Sequence, residues 1–133
     1  MKKQLYTLLF AGLLATALIL FVSAGERNSE DGSINYTNPG ELLSLVENQK
    51  EPYILIDVRT EQEYENGHIP TAGNIPYDII ADKVPTETRD DLIILYCRSG
   101  RRSSIAAETL KKRGYTNVVD FGGVTNWPGE LNY

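Results

Sequence analysis

LIILYCRSGRRSSIAAETLKKRG, residues 92–114, holds the only cysteine of the chain. Leu92 to Tyr96 is a continuous apolar run of the kind that forms a strand buried on both faces. Cys97 follows at once. Arg98, Arg101 and Arg102 then crowd around Gly100. From Ser103 to Arg113 the pattern turns helical, with Ile105, Ala106, Thr109 and Leu110 able to share one face. Lys111, Lys112 and Arg113 fall in the last turn, where cations suit the helix dipole, and Gly114 is placed to end the helix. A strand, a tight loop and a helix start gather backbone N–H groups that have no partner inside the helix. Gly100 admits a backbone conformation that other residues resist, and Ser103 and Ser104 favour the turn into the helix. A thiol at the base of such a cradle is expected to have its thiolate favoured by the dipole and the arginines together. Cys97 is therefore the candidate nucleophile. The arginines are candidates to hold an oxyanion, with Arg102 ranked ahead of Arg98. A lone cysteine after an apolar strand is often only a small core residue; three arginines and a glycine in the next five positions fit an anion-binding nest better.

Working outward, Asn38-Pro39-Gly40-Glu41 reads as a helix start: Asn38 caps, Pro39 suits the first position and Glu41 stands three residues after the cap. Leu42, Leu45 and Val46 supply its apolar face. YILIDV, residues 53–58, reads as a second buried strand. Thr60-Glu61-Gln62-Glu63 is a capping box opening a short helix, whose glutamates from Glu61 to Glu65 read most simply as a solvated face. GHIPTAGNIP, residues 67–76, is turn punctuation. A short helical segment is expected over Tyr77–Val84 and a strand over Asn117–Phe121. The end, GGVTNWPGELNY, is loop-like with Trp127 as its apolar anchor. Strands alternating with helices give an α/β fold with a largely parallel sheet, in which ligands bind beyond the carboxyl ends of the strands. Cys97 stands at one of those ends.

The 133 residues suffice for one small domain. The N-terminal segment is different in kind. Lys2 and Lys3 precede 22 uncharged residues, Gln4 to Gly25, and Val22-Ser23-Ala24 resembles a signal-peptide cleavage site. Residues 1–24 read as a signal peptide, or as an N-terminal membrane anchor, since about 20 apolar residues span a bilayer. Residues 25–33 read as a linker and residues 34–133 as the domain. Either reading exports the domain to a periplasmic or other extracytoplasmic location, anchored if the segment stays on. Removing residues 1–24 leaves 11 basic residues against 18 acidic, a net charge of −7. That balance argues against nucleic acid and against anionic lipid, and makes the arginine cluster a local exception suited to a small anionic ligand. One cysteine forms no internal disulfide, and one histidine with one cysteine offers no metal site.

Four marks in order resemble the single-domain rhodanese family, the thiosulfate or polysulfide sulfurtransferases. The loop Cys97-Arg98-Ser99-Gly100-Arg101-Arg102-Ser103 resembles its active-site loop. Asp57-Val58-Arg59 with Glu63 and Tyr64 resembles its first strand and helix. Gly67-His68-Ile69-Pro70, Ala72 and Asn74-Ile75-Pro76 resemble its first signature, and Gly122-Gly123 with Trp127 its last. The resemblance covers about residues 34–130; the N-terminal segment lies outside it and is expected to mark an exported subgroup. It implies a rhodanese-like three-layer fold, a largely parallel central sheet flanked by helices. It also implies a transferase in which the Cys97 thiolate takes a sulfane sulfur from thiosulfate or polysulfide, carries it as a persulfide, and yields it to a thiol or to cyanide. Arg98, Ser99, Gly100, Arg101, Arg102 and Ser103 would bind the substrate. Asp57 and Arg59 would support the loop through an ion pair or hydrogen-bond network, and His68 would be structural. No cofactor and no metal is called for.

Two rival functions compete with this expectation. A carrier or ligand-binding module of the same fold would dock on a partner protein that supplies or accepts persulfide. A cysteine phosphatase or arsenate reductase would need an arginine after Cys97 and five further residues, where this chain has Ser103, and a roomier loop than one suited to a single sulfur atom.

Overall fold

The computed structural model describes residues 33–133. The signal-peptide or anchor segment 1–24 and nearly all of the linker lie outside the described residues. Helix α1 spans Pro39–Asn48, strand β1 Ile54–Asp57, helix α2 Glu61–Glu65, strand β2 Gly73–Asn74, strand β3 Ile93–Cys97, helix α3 Arg101–Lys112 and strand β4 Val118–Gly123; a 3-10 turn, Val124–Asn126, follows. The caps are those the sequence announces. The Asn38 side chain accepts from the N–H groups of Gly40 and Glu41 at 2.9 and 3.3 Å. Thr60 and Glu63 close their capping box in both directions.

Among the described residues the four strands pair parallel, in the order β2-β1-β3-β4. Successive strand residues face opposite sides of a sheet, so each strand feeds two cores. Ile94, Tyr96 and Leu55 pack with Leu42, Leu45, Val46, Phe121 and Trp127 on the α1 side. Ile93, Leu95, Cys97 and Ile56 pack with Ala106, Ala107 and Leu110 on the α3 side. The result is three layers, with Cys97 on the face covered by α3. β4 carries a bulge: Leu95 pairs with Asp120 but Tyr96 pairs with Gly122, leaving Phe121 as the extra residue. The bulge sets Gly123 beside Cys97.

The structure corrects three expectations. Tyr77–Val84 forms turns rather than a helical segment, closed by bonds such as Ile79 N–H to the Pro76 carbonyl at 3.1 Å; Pro85 disfavours the helical conformation at Val84, and the stretch lacks a capping box of the kind that starts α2. α3 begins at Arg101, two residues before the expected start, because Gly100 takes the cap position with φ 107° and ψ −22°. Its buried face is Ser103, Ala106, Ala107 and Leu110, and Ile105 is exposed. Small side chains at three of those four positions bring the helix axis close to the sheet, which outweighs burying one isoleucine. Within the expected turn region, Gly73 and Asn74 form the short strand β2.

Candidate active site

β1, β3 and β4 end side by side, which places Asp57, Cys97 and Gly123 in one row at the carboxyl edge of the sheet. Cys97 is 1% exposed. Its sulfur accepts the Gly100 N–H at 3.0 Å and lies 3.6 Å from the Ser103 hydroxyl, to which the thiol donates. Ser103 is fully buried, and its hydroxyl donates to the Gly100 carbonyl at 2.9 Å. Burial pushes the Cys97 thiol up, but the N–H and hydroxyl of Ser103 and the N–H groups of Gly100 and Ser99 outweigh it. The net pKa lies below that of an ordinary thiol. Once the sulfur ionises it can only accept, and a turn of the Ser103 hydroxyl converts that contact into one more donor.

The loop fits its neighbours closely. A Cβ on Gly123 would stand 2.7 Å from the Arg98 carbonyl oxygen and 3.1 Å from Ser99 Cα. Glycine at that position is what lets β4 pass under the loop. Gly123 thus has a steric reason, and Gly122 a conformational one in its φ of 93°, that no local sequence pattern supplies.

The arginines divide into two kinds. Arg98 and Arg101 are exposed, and among the described residues neither has a carboxylate within ion-pair distance. Arg102 is half-buried, and both its terminal nitrogens are taken by Glu63, Nη1 to Oε2 at 2.7 Å and Nη2 to Oε1 at 2.8 Å. The same Glu63 oxygen accepts the Thr60 N–H at 3.0 Å. Hydrogen bonding from Arg102, with Thr60 adding its share against some desolvation, lowers the Glu63 carboxyl to about 2. The Glu63 partnership raises the Arg102 pKa against some desolvation. Reading Glu61 to Glu65 as solvated therefore misses Glu63. Its capping role is legible in the sequence; its arginine lies 39 residues on, beyond any local signal.

Below the loop, Asp57 and Arg59 are both buried. The Arg59 side chain forks onto the carboxylate, Nη2 to Oδ2 at 2.6 Å and Nε to both oxygens at 2.9 Å, and Nη2 also reaches the Gly67 carbonyl at 2.7 Å. Asn74, to which the sequence assigns no bracing role, donates to the carbonyls of Asp57 and Arg59 at 2.9 and 3.0 Å. Tyr96 joins the group under the Arg59 guanidinium, and its hydroxyl accepts the Ile69 N–H at 3.0 Å. Burial first, and the Asp57 charge next, push the Tyr96 phenol well above its usual range. These residues brace the row of strand ends. His68 is engaged elsewhere: its ring stacks on Tyr64 with centroids 3.8 Å apart, Nδ1 contacts the Tyr64 carbonyl at 3.0 Å, and its backbone bridges to Asn132. Among the described residues no cluster of three or more His, Cys, Asp or Glu is arranged for a metal.

A buried thiol that accepts a loop N–H, at the strand ends of a parallel three-layer domain, defines a class of cysteine-loop α/β domains. The sequence pattern of the rhodanese-like domain matches residues 38–130, and the chain belongs to that family. It is 33% identical over 133 aligned residues to the adenylyltransferase and sulfurtransferase UBA4 of Candida albicans, covering 80% of this chain and 30% of that one. It is 34% identical over 107 residues to the putative sulfur carrier protein YrkF of Bacillus subtilis, covering 80% of this chain and 58% of that protein. With the thiosulfate sulfurtransferase PspE of Escherichia coli it shares 38% identity over 71 residues, 52% of this chain and 68% of PspE. The chain thus spans from under a third to about two thirds of the length of these curated relatives. A solved structure described as a rhodanese with anions from E. coli superposes with a TM-score of 0.54 at 34% identity, over 61% of this chain and 98% of that one. The parallel three-layer α/β architecture is the one shared with these structures.

Proposed function

We propose that the chain is a sulfurtransferase. The Cys97 thiolate attacks the outer sulfur of thiosulfate or of a polysulfide; the new S–S bond forms as the donor's S–S bond breaks, and sulfite or a thiolate leaves with the electron pair. The persulfide on Cys97 then passes its outer sulfur to cyanide or to a thiol, and the thiolate returns. One observation carries this reading: the Cys97 sulfur is buried, yet it faces the N–H of Gly100 at 3.0 Å and the Ser103 hydroxyl, donors that favour its anion. Loop N–H groups would likewise stabilise the negative outer sulfur of the persulfide. The relatives named as sulfurtransferases support the same class.

A protein partner is a second part of the proposal. Arg98 and Arg101 form an exposed basic rim around a buried sulfur, and one relative is named a putative sulfur carrier. Export is a third part and rests on residues 1–24 alone. Two measurements test the reading. The first is thiocyanate formation from thiosulfate or polysulfide and cyanide, with Cys97→Ser as the control; turnover that survives in the variant contradicts the role of Cys97. The second is aryl phosphate hydrolysis: turnover there with none on sulfur donors would favour the phosphatase.

A further inference from the structure

We propose that Glu63 sets the donor specificity of the Cys97 loop, by neutralising Arg102 and so favouring a persulfide or polysulfide donor over dianionic thiosulfate. This rests on the sulfur-transfer reading above. Arg102 is the second residue of α3, directly before Ser103, whose hydroxyl lies 3.6 Å from the Cys97 sulfur, and it is the only arginine of the loop that is partly buried. It is the cation that screening by water weakens least. Glu63 occupies both of its terminal nitrogens in the fork geometry that an incoming sulfonate would need. Glu63 is itself fixed from behind by the N–H and hydroxyl of Thr60, at 3.0 and 3.1 Å, so its carboxylate does not simply swing aside.

The consequence differs between donors. With thiosulfate, the sulfur passes to Cys97 and a sulfite dianion departs, so the wall beside the loop must accept two negative charges next to the Glu63 carboxylate. With a persulfide R–S–SH, the thiolate takes the terminal sulfur as Cys97–S–SH, the R–S–S bond breaks, and the electron pair leaves on R–S⁻, a single charge. No electron donor or acceptor enters either step. Arg98 and Arg101 are exposed and would steer anions towards the loop. Glu63 acts through Arg102 and is a positioning residue.

The test compares kcat/KM for thiosulfate and for 2-hydroxyethyl persulfide, whose leaving thiolate carries a single charge, with cyanide as the common acceptor, in the parent chain and in Glu63→Gln. Removing the negative charge that neutralises Arg102 is expected to raise the thiosulfate-to-persulfide ratio by about tenfold. The change should fall on the thiosulfate KM, with persulfide kinetics held within about twofold. Glu61→Gln, which removes an exposed charge from the same helix that is not paired with Arg102, serves as the control and should leave the ratio where it is. An unchanged ratio in Glu63→Gln overturns the proposal, as does an equal shift in Glu61→Gln. Absence of sulfur transfer from both donors in the parent chain would instead sink the sulfur-transfer reading itself.

Discussion

The backbone N–H of Gly100 points at the sulfur of Cys97, 3.0 Å away, and it can do so because Gly100 holds φ at 107°. Strand, loop and helix meet in that one contact: β3 delivers the thiol, the left-handed glycine turns the chain, and the first turn of α3 closes over the sulfur.

Gly100→Ala puts a Cβ in a conformation that L residues resist at a cost of about 1–3 kcal/mol. There is room for the atom, whose nearest neighbour would be Gly122 Cα at 3.6 Å, so the loop relaxes rather than the fold failing. The expected result is an iodoacetamide alkylation midpoint moved to higher pH, with sulfur loading slowed by about tenfold. An unmoved midpoint would show that the N–H of Gly100 is not what favours the thiolate.

Ser103→Ala removes the hydroxyl beside the sulfur and should move the same midpoint upward. The sign follows from the direction of the shift: the folded-state pKa of Cys97 is depressed. Thiolate reactivity therefore persists below the ordinary thiol value of about 8.5. The matching stability is present above the unfolded-state value and lost as pH falls through the folded one. Alkylation rate against pH, in parent and variant, reads the shift directly.

The Glu63–Arg102 pair should show itself in acid. The Glu63 carboxyl is lowered from 4.5 to about 2. Its contribution is complete above 4.5 and disappears as pH falls towards 2. The pair is partly exposed, so after screening its worth is of the order of 1 kcal/mol. Urea melts from pH 5 to about 2 should therefore converge for the parent and Glu63→Gln at the acid end and separate at the neutral end.

Gly123→Ala sets a methyl group 2.7 Å from the Arg98 carbonyl oxygen, a backbone atom with nowhere to go. A loss of about 1–3 kcal/mol is expected. Because the displaced segment is the cysteine loop, alkylation of Cys97 should change with it. A variant that melted like the parent, with unchanged thiol reactivity, would contradict the close approach.

Asp57→Asn strands the Arg59 guanidinium in a buried site. Breaking one side of such a pair costs about 3–5 kcal/mol, whereas replacing both partners with apolar residues costs much less. Thermal melts of Asp57→Asn and of the double variant Asp57→Leu, Arg59→Met should fall in that order, the single variant melting lower.

Local patterns make much of this fold readable in advance. The apolar runs ending at Asp57 and Cys97 are the central strands, and the caps at Asn38 and Thr60 start α1 and α2. What local patterns do not carry is distance. Arg102 finds Glu63 only when α2 and α3 are brought together. The glycine requirement at Gly123 appears only once the β4 bulge slides that residue under Arg98. Ile105 departs from expectation because helical spacing identifies two possible faces, and the close approach to the sheet selects the one with serine and alanines. Over Tyr77–Val84 a short helical segment is expected, and the chain forms successive turns instead.

Intact-mass spectrometry of the purified chain before and after a sulfur donor, with Cys97→Ala alongside, tests the central claim most directly. The prediction is a gain of about one sulfur atom with thiosulfate or glutathione persulfide, reversed by cyanide and absent from the alanine variant. No gain with either donor, or a gain that survives the loss of Cys97, would contradict sulfur transfer through this thiol.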